Sequence, residues 1–147
     1  SRDGYSMANF PVLEVSWYGA MAFCDYYDYR LPTEWEWQAV ADYDGSYTYG
    51  CGASIDFNKA NYYDEVFANP LNISLPHTSP VDHFPSYGYG INDMAGNVWE
   101  WTSTVNDNNS VLCGGSWGVA DYKCAVSFRD GISLDFTGTS IGFRVCR

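Results

Sequence analysis

The sequence predicts an α+β fold made of two helices, short twisted strands and much irregular loop. Three observations predict it. Two helix starts are written in capping residues: Ser16 precedes the run from Trp17, and Thr33 stands three positions before Glu36, the spacing of a capping box. The stretch Ile91–Trp117 gathers Trp99, Trp101 and Trp117, three of the six tryptophans, around a polar break at Asn106–Ser110 that reads as a turn. Asp42–Pro85, rich in Gly, Asn, Asp, Ser, Tyr and Pro, has little periodicity and reads as loop.

In chain order, Phe10–Leu13 reads as an opening strand. Ser16 then caps a helix whose Ala20, Met21, Phe23, Cys24 and Tyr27 share one face, with Asp25 and Asp28 opposite. Arg30-Leu31-Pro32 ends it, because the residue before a proline is pushed away from helical backbone. Thr33 starts a second helix running to about Asp42, with Trp37, Val40 and Ala41 as core candidates and Trp35 facing either way. Val98–Trp101 reads as a short extended segment that buries rings. Glu100, between two tryptophans, is the anomaly. It either points to water or, if buried, needs an ionic partner or a cation, since an unpaired carboxylate among indoles is costly. Gly96 and Asn97 form a turn whose freed carbonyls suit a hard cation such as calcium.

Bulk properties bound the function. A chain of 147 residues is most simply one domain, 1–147, and is long enough for a real core. Seven Lys and Arg against eighteen Asp and Glu give a formal charge of -11, so the basic footprint of a nucleic-acid binder is missing. No apolar run is long enough to span a bilayer, so no membrane insertion is expected. The start, Ser1-Arg2-Asp3-Gly4, shows no secretory leader and is expected to be a cut end. Five cysteines (Cys24, Cys51, Cys113, Cys124 and Cys146) leave at least one unpaired within the chain, and no C-x-x-C spacing marks a zinc site. Asn72-Ile73-Ser74 is a glycosylation sequon. His77 and His83 lie in a loop and fit no metalloprotease motif; neither a P-loop nor a nucleophile elbow appears.

Several segments together carry a resemblance. N-D-M-A-G-N-V-W-E-W-T at Asn92–Thr102, V-S-W-Y-G-A-M-A-F-C at Val15–Cys24, R-L-P-T-E-W-E-W at Arg30–Trp37, C-G-G-S-W at Cys113–Trp117 and I-G-F-R at Ile141–Arg144 come in the order seen in the formylglycine-generating enzyme (sulfatase-modifying factor) family. Ser79-Pro80-Val81 and Tyr87–Ile91 match its approach to the signature. The resemblance covers about Phe10 to the end and implies a C-type-lectin-like fold with long loops pinned by cations. It implies a structural calcium held by Asp93 and Glu100 with backbone oxygens of Gly96 and Val98. It also implies a first cation site at Asn61, whose acidic partner is missing near Asn72 and Ile73. A Cys24–Cys146 disulfide and a structural, paired Arg144 are further implications.

The family's enzymes oxidise a substrate cysteine with copper held by two thiolates. Aligned on Gly114-Gly115-Ser116, the second thiolate falls on Cys124 and the first on Val119. Valine binds no metal, so no copper is expected, Cys124 is expected to be a buried core thiol, and enzyme activity is expected to be lost. A copper-dependent oxidase remains the alternative. The same scaffold serves variable proteins of diversity-generating retroelements, which mutate a surface between G-G-S-W and G-F-R. Here that segment is about 118–140, and of the residue types such mutagenesis cannot reach it holds only Lys123. The resemblance thus implies a receptor or surface-recognition domain. Its expected ligand is a protein or glycan, and its expected place is a cell surface, a virion or the secreted pool. The expected contact residues are Trp117, Val119, Ala120, Asp121 and Tyr122, then Ser127, Phe128, Arg129 and Asp130, then Ile132, Leu134, Asp135 and Phe136. They fit no single helical or strand period; Tyr122, Phe128, Arg129 and Phe136 are the expected anchors, exposed to solvent.

Overall fold

The computed structural model describes residues 7–65 and 77–147. The start Ser1–Gly4, the sequon Asn72–Ser74 and the expected cation partner near Ile73 lie outside the described residues.

Helix α1 runs Trp17–Tyr27. It starts where the Ser16 hydroxyl accepts the Gly19 N–H at 3.2 Å, and ends at Asp28, whose backbone turns left-handed (φ 57°). The expected apolar face is narrower than the sequence implied. Ala20 and Cys24 are buried, but Phe23 and Tyr27 stay exposed. Those two rings pack on each other at 4.7 Å instead of entering the core. Helix α2 runs Glu34–Asp42 and carries the full capping box: Glu36 N–H donates to the Thr33 hydroxyl and Thr33 N–H to the Glu36 carboxylate. Trp37 and Ala41 are buried, whereas Trp35 is 67% exposed.

A four-stranded sheet lies between the helices. Its strands are β1 (Trp99–Asn106), β2 (Asn109–Cys113), β3 (Asp130–Ser133) and β4 (Ile141–Gly142), in the order β3-β2-β1-β4. β1 and β2 form an antiparallel hairpin turned at Asp107-Asn108, where Asp107 adopts φ 54°. The register shifts between Trp101 and Val105. Buried hydroxyls serve the backbone there: Thr102 donates to the Val111 carbonyl at 2.8 Å and Ser110 to the Thr102 carbonyl at 2.9 Å. β3 adds antiparallel to β2, and β4 parallel to β1.

Alternation along the central strands sorts side chains between two cores. Trp99, Trp101 and Leu112 join Ala20, Cys24, Leu31 and Ile141 beside α1. Val111 and Cys113 join Trp37, Ala41 and Met94 beside α2. Both faces are therefore covered, which explains why the first four residues of β1 are all buried. Two indoles lock α1 to this sheet, Trp17 donating to the Thr102 carbonyl and Trp101 to the Val15 carbonyl, each at 2.9 Å. The expected strand at Phe10–Leu13 does not form. β4 offers only two ladder residues, and Glu14, at φ 57°, turns the chain towards α1.

Candidate functional site

The signature segment between Ile91 and β1 is a turn with three left-handed residues: Asp93 (φ 58°), Gly96 (φ 75°) and Asn97 (φ 65°). Asp and Asn tolerate this conformation better than other side chains, and Gly96 is needed for a second reason. A Cβ there would stand 2.3 Å from the Asn61 carbonyl oxygen. That oxygen accepts the Asn97 N–H at 2.7 Å, while Gly96 N–H donates to the Gly114 carbonyl, also at 2.7 Å. The Asn97 side chain closes a reciprocal pair with Ser79, accepting its N–H at 3.0 Å and donating to its carbonyl at 3.2 Å. Asn61, expected as a cation ligand, is fully buried and donates its amide to the His77 carbonyl at 2.7 Å. The turn thus fastens loop segments far apart in sequence, using amides where a sheet would use its ladder.

Glu100 does not point to water; it is 4% exposed. Arg144 clamps its carboxylate in two-point fashion, each contact 2.6 Å, and the Trp37 indole donates to the same group at 2.6 Å. Arg144 also donates to the carbonyls of Asn92 and Asp93 at 3.3 Å, so it ties the turn to β1. Asp93 is different. Its two carboxylate oxygens are buried without a well-formed hydrogen bond, although the Asn97 amide, which gives one N–H to Ser79, lies near enough to favour the charged form. Burial pushes its carboxyl up to about 7 and the Glu100 charge adds to this, although Arg144 opposes them. A cavity of about 320 Å³ opens beside it, lined by Pro11, Val81, Gly96, Asn97, Val98 and Phe143 among others. Of the expected calcium ligands, Asp93 offers an unengaged carboxylate, Gly96 and Val98 line the same cavity, and Glu100 is committed to Arg144.

The segment after Trp117 is more ordered than its lack of period implied. It holds a 3-10 turn at Asp121–Cys124 and the strand β3. The expected anchors divide. Tyr122 is 59% and Phe136 44% exposed. Phe128 instead leans on Trp99 with ring centres 6.0 Å apart, and packs against the α1-side core. Arg129 folds back on α2, donating to the Glu34 carboxylate at 3.0 Å, to Gln38, and to the carbonyls of Val126 and Phe128. Among the remaining expected contacts, Asp121, Ser127, Asp130 and Asp135 are exposed, and Ala120 and Leu134 are half-buried. Val119 and Ile132 pack against core clusters and are corrected from surface to partly structural positions. Trp117 is half-buried, stacked on His77 at 4.4 Å. The Trp35, Glu34 and Gln38 contacts of Arg129 were not legible in the sequence. They join positions 91 to 95 residues apart, and only a tertiary fold brings them together.

All five cysteines are free thiols, so the expected Cys24–Cys146 bond is not formed; the Cys146 thiol donates to the Arg30 carbonyl at 3.6 Å. Cys124 is sealed in the core, where burial raises its thiol to about 12. Gly115 makes room for it, since a Cβ there would stand 2.5 Å from the sulfur. The position aligned with the other thiolate is the aliphatic Val119, packed beside Cys124 and Tyr62.

A family model described as a sulfatase-modifying factor enzyme 1-like domain matches residues 2–147. The chain is 35% identical over 149 residues to the inactive C-alpha-formylglycine-generating enzyme 2 of Bos taurus, covering 92% of this chain and 49% of that protein. It is 35% identical over 176 residues to the formylglycine-generating enzyme of Mus musculus, covering 93% and 44%. It thus spans about half the length of the curated relatives it matches. Treponema denticola variable protein 1 superimposes with a TM-score of 0.80 at 22% identity, over 97% of this chain and 73% of that one, which is a likeness of fold.

Proposed function

The chain belongs to the sulfatase-modifying factor enzyme 1-like family, and within it we propose a non-enzymatic, ligand-binding module: a variable protein of the diversity-generating-retroelement type, displayed on a cell surface or virion or secreted. One observation carries this reading. Residues 118–140 are clamped between buried scaffold at Gly114–Ser116 and Ile141-Gly142, yet turn Tyr122, Asp121, Ser127, Asp130, Asp135 and Phe136 outward. A segment fixed at both ends, with side chains the core does not need, tolerates substitution without loss of fold. Its rings give large contact area at modest entropic cost. The ligand is a protein or a glycan. The cheapest test is genomic: a near-copy of the coding sequence for this segment beside a reverse transcriptase supports the reading, and its absence from the complete source genome counts against it.

The alternative is a copper-dependent oxidase, favoured by the retained Cys124 and by the identity to the mouse enzyme. The residues present do not fit copper: Val119 offers no donor, and Cys124 is a sealed, protonated thiol. Incubation with cuprous ion and a C-x-P-x-R peptide is expected to give no aldehyde, and turnover would restore the oxidase reading. A structural calcium is a further part of the proposal. Asp93 would hold it together with backbone oxygens of Gly96 and Val98, where its charge would offset that of the unpartnered carboxylate.

A further inference from the structure

One peptide bond of β3 is placed unlike the rest of the sheet. Gly131 faces Val111 across the β2–β3 ladder. Val111 turns its carbonyl to its other neighbour, β1, where the Thr102 hydroxyl donates to it at 2.8 Å. Residues of an antiparallel pair bond either to each other or each to its far side. The Gly131 N–H therefore points out of the sheet, at the edge that β3 forms. The Asp130 carboxylate folds over it, and Oδ1 accepts that N–H at 2.9 Å. Both residues are exposed. A Cβ on Gly131 would meet no listed atom nearer than 3.9 Å, so the space around its nitrogen is open.

This contact holds the Gly131 nitrogen beside Cγ of Asp130, one bond short of a five-membered ring. Ring closure joins nitrogen to Cγ. One carboxyl oxygen leaves as water, taking the amide proton and a proton from solvent, and a succinimide remains. Water then reopens the ring at either carbonyl. Attack at Cγ restores aspartate. Attack at the backbone carbonyl leaves the chain running through Cγ, an isoaspartyl bond. Mass and formal charge are unchanged, and no oxidant or second reactant is needed.

Two other aspartates each lack half of this arrangement. Asp121 Oδ1 holds the Tyr122 N–H at 2.7 Å, but the tyrosine side chain crowds that nitrogen where glycine does not. Asp44 precedes Gly45, so its neighbour is equally bare, but the groups are turned apart. The Asp44 carboxylate accepts the Ser46 N–H at 3.0 Å, and the Gly45 N–H goes to the Asp42 carbonyl at 3.1 Å. Hydrogen bonds from Ser46 also hold the Asp44 carboxyl below the ordinary aspartate range, which keeps it in the ionised, less electrophilic form. The remaining Asp-Gly bond of the sequence, Asp3-Gly4, lies outside the described residues.

We propose that Asp130-Gly131 is a site of spontaneous backbone modification, where a succinimide closes and reopens to isoaspartate in preference to Asp44 and Asp121. The product adds a methylene to the backbone of β3 and moves the carboxylate onto Cα. Gly131 and Ile132 then no longer keep step with Val111 and Ser110. The segment 118–140 thus changes its outer face without a change of composition, and it does so whether or not that face binds a ligand.

The folded chain is aged for weeks in warm neutral buffer and then digested. Isoaspartate is located by electron-transfer fragmentation and counted by methylation with an isoaspartyl methyltransferase. It is expected at position 130 at about ten times the level at Asp44 and at Asp121, the gain of a preset ring geometry. Gly131→Ala returns a Cβ beside the nitrogen, in space that accepts one, and should lower the yield to that of Asp121. Asp130→Glu keeps the charge but would need a six-membered ring, and should give none. In denaturant Asp44 and Asp130 should convert alike, since both precede glycine. Equal conversion of the two in the folded chain would show that sequence alone sets the rate and overturn the proposal. Conversion at 130 in denaturant but not in the folded chain would show that the strand protects the bond, and overturns it as well.

Discussion

Two acids in one turn-and-strand unit show how environment sets the role of a carboxylate. Glu100 is buried because Arg144 and Trp37 replace the water it loses. Removing one partner leaves the other charge stranded, so Arg144→Met and Glu100→Gln are each expected to cost about 3 to 5 kcal/mol. Denaturant melts of both single variants and the double check this. The double should be far less destabilised than the sum, because the two groups form one unit. Asp93 lies in the same cluster without an equivalent partner, and calcium is the partner proposed for it. Adding calcium is expected to raise the melting temperature of the parent, and chelator to lower it. Asp93→Asn should respond to neither. A parent melt indifferent to chelator would rule the cation out.

At the scale of elements, α2 depends on a charge outside it. The Glu36 carboxylate closes the capping box and also receives Arg30, at 2.7 and 2.8 Å. Those hydrogen bonds, Arg30 first and the Thr33 backbone next, hold its carboxyl at about 2 rather than the ordinary 4.5. A depressed carboxyl contributes stability that is fully present above its unfolded value. That contribution is lost as pH falls from about 4.5 through about 2. Glu36→Gln should therefore melt a few degrees lower than the parent at neutral pH, and the two should converge near pH 2. The pair is half-exposed, so added salt should shrink the gap. A gap that persists unchanged at low pH would mean that the cap, and not the ion pair, carries the effect.

Across the whole molecule, segment 118–140 sends residues that are neighbours in sequence to different environments. Tyr122→Ser and Phe136→Ser are expected to stay within about 0.5 kcal/mol of the parent, as surface changes do. Phe128→Ser should cost about 2 to 4 kcal/mol, because it removes a ring packed beside Trp99 and leaves a hydroxyl in its place. Thermal melts of the three variants check both statements, and equal losses in all three would make the segment core. Much of this chain was legible from sequence because it is governed locally. The caps at Ser16 and Thr33, the turn at Asp107-Asn108 and the left-handed Gly96-Asn97 are choices a few neighbouring residues make through their own hydrogen bonds and torsions. Motif order carried the family, and with it the fold and the structural, paired Arg144. Tertiary structure alone decided which side chains pair. It chose Arg144, 44 positions away, as the partner of Glu100 and folded Arg129 onto α2 across 95. It sent Phe128 inward and left Phe23, Tyr27 and Trp35 outside. The physical reason is that burial and ion pairing depend on what arrives from distant segments. A ring or a charge has the same intrinsic preference wherever it stands, and only the covering partner determines whether that preference is met.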